Sequence, residues 1–270
     1  MEVTVMSWSW AALMPHPPII IPDVGRGREN EAAITIIGVK GLIHKLSEIE
    51  TPDRILIVSP HQPYSLGAFS INRAEALHGS FAPFGAPSVA FRLRTPVAEV
   101  GSLAACLSSA DIPVCFHETL DMTRDQGTLV PLYFLEKAYK DLPPAVLSSP
   151  IGLDIEMAFE MGRALASLED GNKWGLLASG DLSHRLKPGA PAGFSPEGQK
   201  FDDAVVEALK KRDASILRGL PRKTIESAGE CGLRSVLIML GLCSELGGSI
   251  DVLSYEGPFG VGYCNALFSG

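Results

Sequence analysis

Three histidines in this chain share one local setting. The run WAALMPH ends at His16, LIVSPH ends at His61, and LLASGDLSH ends at His184. Each follows an apolar, strand-like segment and comes just after a small or turn-forming residue. In open α/β sheets ligands gather outside the carboxyl ends of the strands, so three imidazoles delivered there can converge on one site. His117, after the CF of IPVCFH, is a weaker fourth candidate. His44 in HKLSEIE reads as a surface residue, and His78 in EALHGS is assigned no role. A single histidine after a strand is more often a loop residue bonded to backbone; the shared placement of three is what raises the chemical reading.

Two neutral imidazoles and one carboxylate hold a transition metal with positions left open for substrate. The candidate carboxylate is Glu230 in ESAGECGLRS, at the start of a strongly apolar helix. By residue type alone, Glu230 reads first as a negative charge complementing a helix N-terminus. Cys231 beside it is a softer candidate donor, and its plainer reading is a small buried hydrophobe.

The elements that must position these residues alternate. Strand-like runs lie at Ile55–Ser59, Ile112–Phe116, Ala145–Ser149, Trp174–Ala178, Ser249–Ser254 and Val261–Phe268. Helical spacing marks Glu29–Ile49, Asp154–Leu168, Phe201–Lys211 and Cys231–Leu246, and Thr95 with Pro96 opens another helix as N-cap and first residue. The Pro/Gly-rich segment KPGAPAGFSPEG, 187–198, reads as a surface loop. The alternation predicts an α/β fold with helices on both faces of one mixed, mostly parallel central sheet, and a single domain over 1–270.

Composition narrows the function classes. The 270 residues carry 23 Lys+Arg against 31 Asp+Glu, a net charge of −8, which argues against a nucleic-acid backbone partner. Five cysteines without a C-x-x-C pair read as reduced thiols in a cytoplasmic protein. The N-terminus, with Glu2 and no basic stretch, does not read as a signal peptide. The longest apolar run, around Val236–Cys243, is far short of the ~20 residues of a membrane span.

MPHPPIIIPDVG, SPHQP, LDMTRDQGTLVPLYFL, SGDLSH, AGECGLRS and YEGPFGVGY, in that order from residue 14 to 263, together resemble the class III extradiol ring-cleavage dioxygenase superfamily. The nearer likeness is to the dioxygenase-like domain of AmmeMemoRadiSam system proteins. The resemblance implies a three-layer α/β/α domain with non-haem Fe(II) at one edge of the sheet. It further implies His16, His61 and Glu230 as metal ligands and His184 as the catalytic acid/base. Two positions depart from the family pattern. Gln126 stands where many members have the histidine of Asp-His-Gly, and Asp181 stands where the aromatic-cleaving enzymes tend to have glycine. Both are assigned to substrate binding.

The expected chemistry is Fe(II)-dependent cleavage of a catechol- or aminophenol-type ring with O₂. The other readings are a zinc-dependent hydrolase, since two histidines and a glutamate also serve zinc, and a non-catalytic, Memo-like metal- or ligand-binding protein. Expected partners are a small aromatic substrate, an AMMECR1-type domain or protein, and a second copy of the chain. The glycines of YEGPFGVGY read as turn formers, Tyr255 and Glu256 as groups supporting the site, and Arg124 with Asp125 as a surface pair.

Overall fold

The computed structural model describes residues 7–270. The reading of the N-terminus around Glu2 lies outside the described residues. Ten strands are present among them: β1 Trp8–Met14, β2 Arg54–Val58, β3 Phe69–Asn72, β4 Ala76–Phe81, β5 Ala86–Arg94, β6 Val114–His117, β7 Ala145–Ser149, β8 Trp174–Ser179, β9 Ser249–Glu256 and β10 Tyr263–Ser269. The principal helices are α1 Ala33–Glu48, α2 Val97–Ser109, α3 Gln126–Leu135, α4 Ile155–Leu165, α5 Pro196–Lys211, α6 Arg222–Ala228 and α7 Leu233–Glu245.

Eight strands form one sheet in the order β6-β3-β7-β2-β8-β1-β10-β9, and β4 and β5 pair separately as an antiparallel hairpin. The four central strands β7, β2, β8 and β1 are parallel to one another. The flanks turn over: β3 runs antiparallel to β7, and β10 runs antiparallel to β1. The mixed, mostly parallel α/β sheet expected from the sequence is therefore observed.

Strands buried on both faces read as near-continuous apolar runs. In β2, Leu56 and Val58 enter one core while Ile55 and Ile57 enter the other. In β1, Ala11 and Leu13 alternate with Ala12 and Met14 in the same way. One core is closed by α2, α4, α5 and α7, the other by α1 and α3. The contrast with β6 is instructive: Phe116 is 46% exposed on that edge strand.

Local chemistry sets the boundaries. Asp154 caps α4 by accepting the Met157 N–H at 2.7 Å, so that helix begins one residue after the expected start. Ser195 caps α5 with Pro196 at its first turn, which draws the end of the expected loop 187–198 into the helix. Pro96, rather than Thr95, is the residue that precedes α2. The short β3 and the β4–β5 hairpin were not expected; their polar, glycine-interrupted runs carry no long apolar pattern. No helix among the described residues is long and apolar enough to cross a membrane.

Candidate metal centre

The topology explains which histidines meet. β2, β8 and β1 are adjacent and parallel, so the segments leaving Val58, Ser179 and Met14 emerge side by side. His61, Asp181, His184 and His16 ride on those segments. β10 and β9 then return the 256–263 connection to the same edge. β6 runs opposite to the central strands, through antiparallel β3–β7 pairing and parallel β3–β6 pairing. Its His117 therefore lies at the far edge, with Nδ1 against Thr119 Oγ1 at 3.1 Å.

His16 is buried at 2% exposure and His61 reaches solvent. Their Nε2 atoms stand 3.1 Å apart with the rings edge to face. His16 Nδ1 is 2.9 Å from Ser179 Oγ. Donation from Nδ1–H to that hydroxyl leaves the lone pair on Nε2, the tautomer a metal ligand needs. Burial, opposed by the charge of Asp125, pushes His16 down to about 4. Desolvation and the neighbouring His16 ring push His61 to about 4 as well. Both imidazoles are thus neutral near pH 7, as ligands must be.

The third donor is where the structure adds most. His16, His61 and Cys231 bring their donor atoms within 4.8 Å of one another. Cys231 Sγ lies 3.7 Å from His16 Nε2. Glu230 is engaged elsewhere. Its Oε2 accepts the Leu233 N–H at 2.6 Å, satisfying an otherwise orphaned donor in the first turn of α7. Burial raises its carboxyl above the usual range. The structure thus brings together His16, His61 and Cys231, with Glu230 one residue away as a helix cap.

Glycine makes this approach geometrically feasible. A Cβ on Gly180 would sit 2.3 Å from Gly232 Cα, so the turn after β8 and the turn before α7 touch backbone to backbone. Cys231 is carried in by that contact, its N–H pointing at the Asp181 carbonyl at 3.4 Å.

Asp181 is 6% exposed, its Oδ1 accepts the His16 N–H at 2.8 Å, and its Oδ2 lies 3.8 Å from His16 Nε2. Burial raises its carboxyl to about 6, against the lowering effect of the His16 N–H. Gln126 opens α3 and places Nε2 3.1 Å from His61 Nε2, at the exposed side of the pair. His184 is half-buried, its N–H held by the Ala228 carbonyl at 3.1 Å, and its Nδ1 is buried without a hydrogen-bond partner. Of the residues expected to bind metal or substrate, Asp181 and Gln126 therefore contact the His16–His61 pair directly, and Glu230 does not.

Two contributors were not singled out, and a third was misplaced. Ser179 orients His16 and is simply the last residue of β8. Tyr263 is buried at 4%, and that burial, reinforced by the charges of Asp181, Glu256 and Cys231, raises its hydroxyl pKa. Asp125 was read as half of a surface pair with Arg124; it is buried at 3% and bonded to Ser59, Gln62 and Thr128 instead. Its position directly before Gln126 was the only signal. Of the expected supports, Glu256 binds the first turn of α1 through Thr35, with Oε1 2.7 Å from Thr35 Oγ1. Tyr255 donates to Asp202 Oδ2 at 2.8 Å.

The donor set fits a transition metal. Nitrogen and sulfur ligating a common cation at ~2.1 and ~2.3 Å stand roughly 3–4 Å apart, and the observed separations are 3.1 and 3.7 Å.

Residues 10–266 match the family described as the catalytic LigB subunit of aromatic ring-opening dioxygenase, a metal-dependent family. The chain is 33% identical over 268 residues to Protein CA_C1420 of Clostridium acetobutylicum, a match that covers 96% of this chain. The chain spans 57% of that relative's own length. In fold it is similar to the crystal structure of the uncharacterized protein JW3007 from Escherichia coli K12, with a TM-score of 0.67 and 19% identity over 96% of this chain and 99% of that one. The ordered histidine motifs, the sheet that gathers them and the match over nearly the whole length lead to one conclusion: the chain belongs to the LigB family of ring-opening dioxygenase catalytic subunits.

Proposed function

We propose that this protein is a metal-dependent oxidoreductase that opens a catechol- or aminophenol-type ring with O₂. The observation that carries the reading is the pair of neutral imidazoles, 3.1 Å apart, at the carboxyl ends of adjacent parallel strands. His16 and His61 would hold the cation, Fe(II) first and Zn second, with the third donor supplied by the 230–231 turn. Cys231 is the donor that stands closest to the pair, and Glu230 is the carboxylate alternative. When bound, the metal supplies a route for electron density from ring to oxygen.

The chain's own residues do the rest. Ser179, by accepting from His16 Nδ1–H, would hold His16 in the ligating tautomer. Asp181 fixes the His16 backbone and brings a buried carboxyl to the cation edge. Gln126, at the solvent side, can both donate to and accept from a ring hydroxyl. His184, a half-buried imidazole on the segment leaving β8, can take a substrate hydroxyl proton and return it to product, the work of a general acid/base.

A second reading has its own observation. Gln126 cannot carry a proton charge, and its amide sits against His61. This favours a Memo-like protein that binds a metal or ligand without cleaving a ring. Anaerobic purification, metal analysis and O₂ uptake against catechols and aminophenols decide between them. Uptake by the iron-loaded chain supports ring cleavage; full iron occupancy without uptake on any member supports the second reading.

A further inference from the structure

Asp125 is a buried carboxylate that the chemistry above leaves unused. It precedes α3, and among the described residues no lysine or arginine pairs with it. Its Oδ1 accepts the Ser59 hydroxyl at 2.5 Å and the Thr128 N–H at 3.0 Å. Its Oδ2 accepts the Gln62 side-chain amide. Ser59 Oγ also accepts the His61 N–H at 3.2 Å. Ser59 and Gln62 bracket His61, so one carboxylate ties down the turn on both sides of that ring.

Space is as tightly specified as hydrogen bonding. A Cβ on Gly127 would fall 2.3 Å from Ser59 Oγ and 3.2 Å from His61 Cδ2. The start of α3 therefore packs directly against the His61 turn, and Asp125 is its polar anchor.

A buried negative charge without a cation partner is costly, and neutral hydrogen bonds offset only part of that cost. The field of Asp125 reaches both imidazoles and favours positive charge there. A cation held by His16 and His61 would be the counter-charge that the protein itself does not provide.

We propose that Asp125 is the positioning residue of the cation site: through Ser59 and Gln62 it holds the His61 turn in its ligating pose, and its negative charge is balanced by a divalent cation bound at the imidazole pair. This rests on His16 and His61 being metal donors and does not depend on ring cleavage. A capping residue with only a structural role would affect folding and leave metal affinity unchanged.

The test is Zn(II) and Co(II) titration of the full chain against a chromophoric chelator, for wild type, Asp125→Asn and Ser59→Ala. Groups that orient ligands typically change affinity ~10–100-fold, and Asp125→Asn should weaken Zn(II) within that range and alter the Co(II) visible spectrum. Ser59→Ala keeps the charge and cuts the link to the His61 amide, so it should weaken binding at least about fivefold. If Asp125→Asn does not fold, Ser59→Ala decides. Affinity within about threefold of wild type in the folded variants overturns the inference, as does a wild-type chain that binds neither metal. Wild-type metal binding without O₂ uptake defeats the ring-cleavage reading alone.

Discussion

The carboxylate of Glu230 accepts the backbone N–H of Leu233 at 2.6 Å, while the thiol of the next residue lies 3.7 Å from His16 Nε2. Two adjacent side chains thus divide between building the helix and facing the imidazole pair. Cys231→Ala should lower Zn(II) affinity by at least about tenfold, and thiol ligation should release about one proton per cation in calorimetry across buffers. Glu230→Ala should cost ~1 kcal/mol of stability through loss of the cap, with metal retained. Metal lost in Glu230→Ala and kept in Cys231→Ala would assign the third donor to the carboxylate.

His184 contributes an imidazole nitrogen without a partner, and the two imidazoles that face each other are His16 and His61. His184→Ala should therefore reduce turnover by ~10²–10⁴-fold and leave metal stoichiometry intact. His16→Ala should empty the site. Metal analysis beside steady-state kinetics separates the two; an emptied site in His184→Ala would reverse the division of roles.

Asp202 is fully buried and holds two elements together, with Oδ1 accepting the Ser183 N–H at 2.8 Å and Oδ2 accepting the Tyr255 hydroxyl. Burial, reinforced weakly by Asp203, raises its carboxyl from 3.8 to about 7. The folded chain then binds more protons here than the unfolded one, so this contribution to stability is present at low pH and is lost as pH rises through about 7. Asp202→Asn should remove that dependence. In urea melts the variant should gain on wild type between about pH 4 and about pH 7 and hold level above that; a constant difference across that window would show that Asp202 does not titrate there. His16 and His61 act with the opposite sign, costing stability as pH falls from 6.5 to about 4.

Gly180 and Gly41 make a matched pair. A Cβ at Gly180 would overlap Gly232 Cα, whereas a Cβ at Gly41, inside α1, meets nothing within 4 Å. Gly180→Ala should destabilise by ~1–3 kcal/mol and loosen metal binding, because it drives the Cys231 turn away from β8. Gly41→Ala should stabilise by ~0.5–1 kcal/mol and leave metal binding unchanged. Thermal melts and the chelator assay measure both.

The residues by themselves determined that this is a mixed α/β sheet and that His16, His61 and His184 follow strand ends. A strand buried on both faces is a near-continuous apolar run, and the polar residues that end it mark the sheet edge. That signal is local, so it survives in one dimension. What it could not tell is direction: His117 ends the same kind of run as His61, and only the antiparallel pairing of β3 with β7 sends it to the opposite edge. The tertiary structure likewise decided which of Glu230 and Cys231 faces the imidazoles, and turned Asp125 from an apparent surface charge into a buried anchor. Adjacent residues in a turn point different ways, and burial of a carboxylate depends on donors such as Ser59, 66 residues distant in the chain. Those are long-range facts, set by which backbones touch at Gly180 and which side chains crowd Gly127.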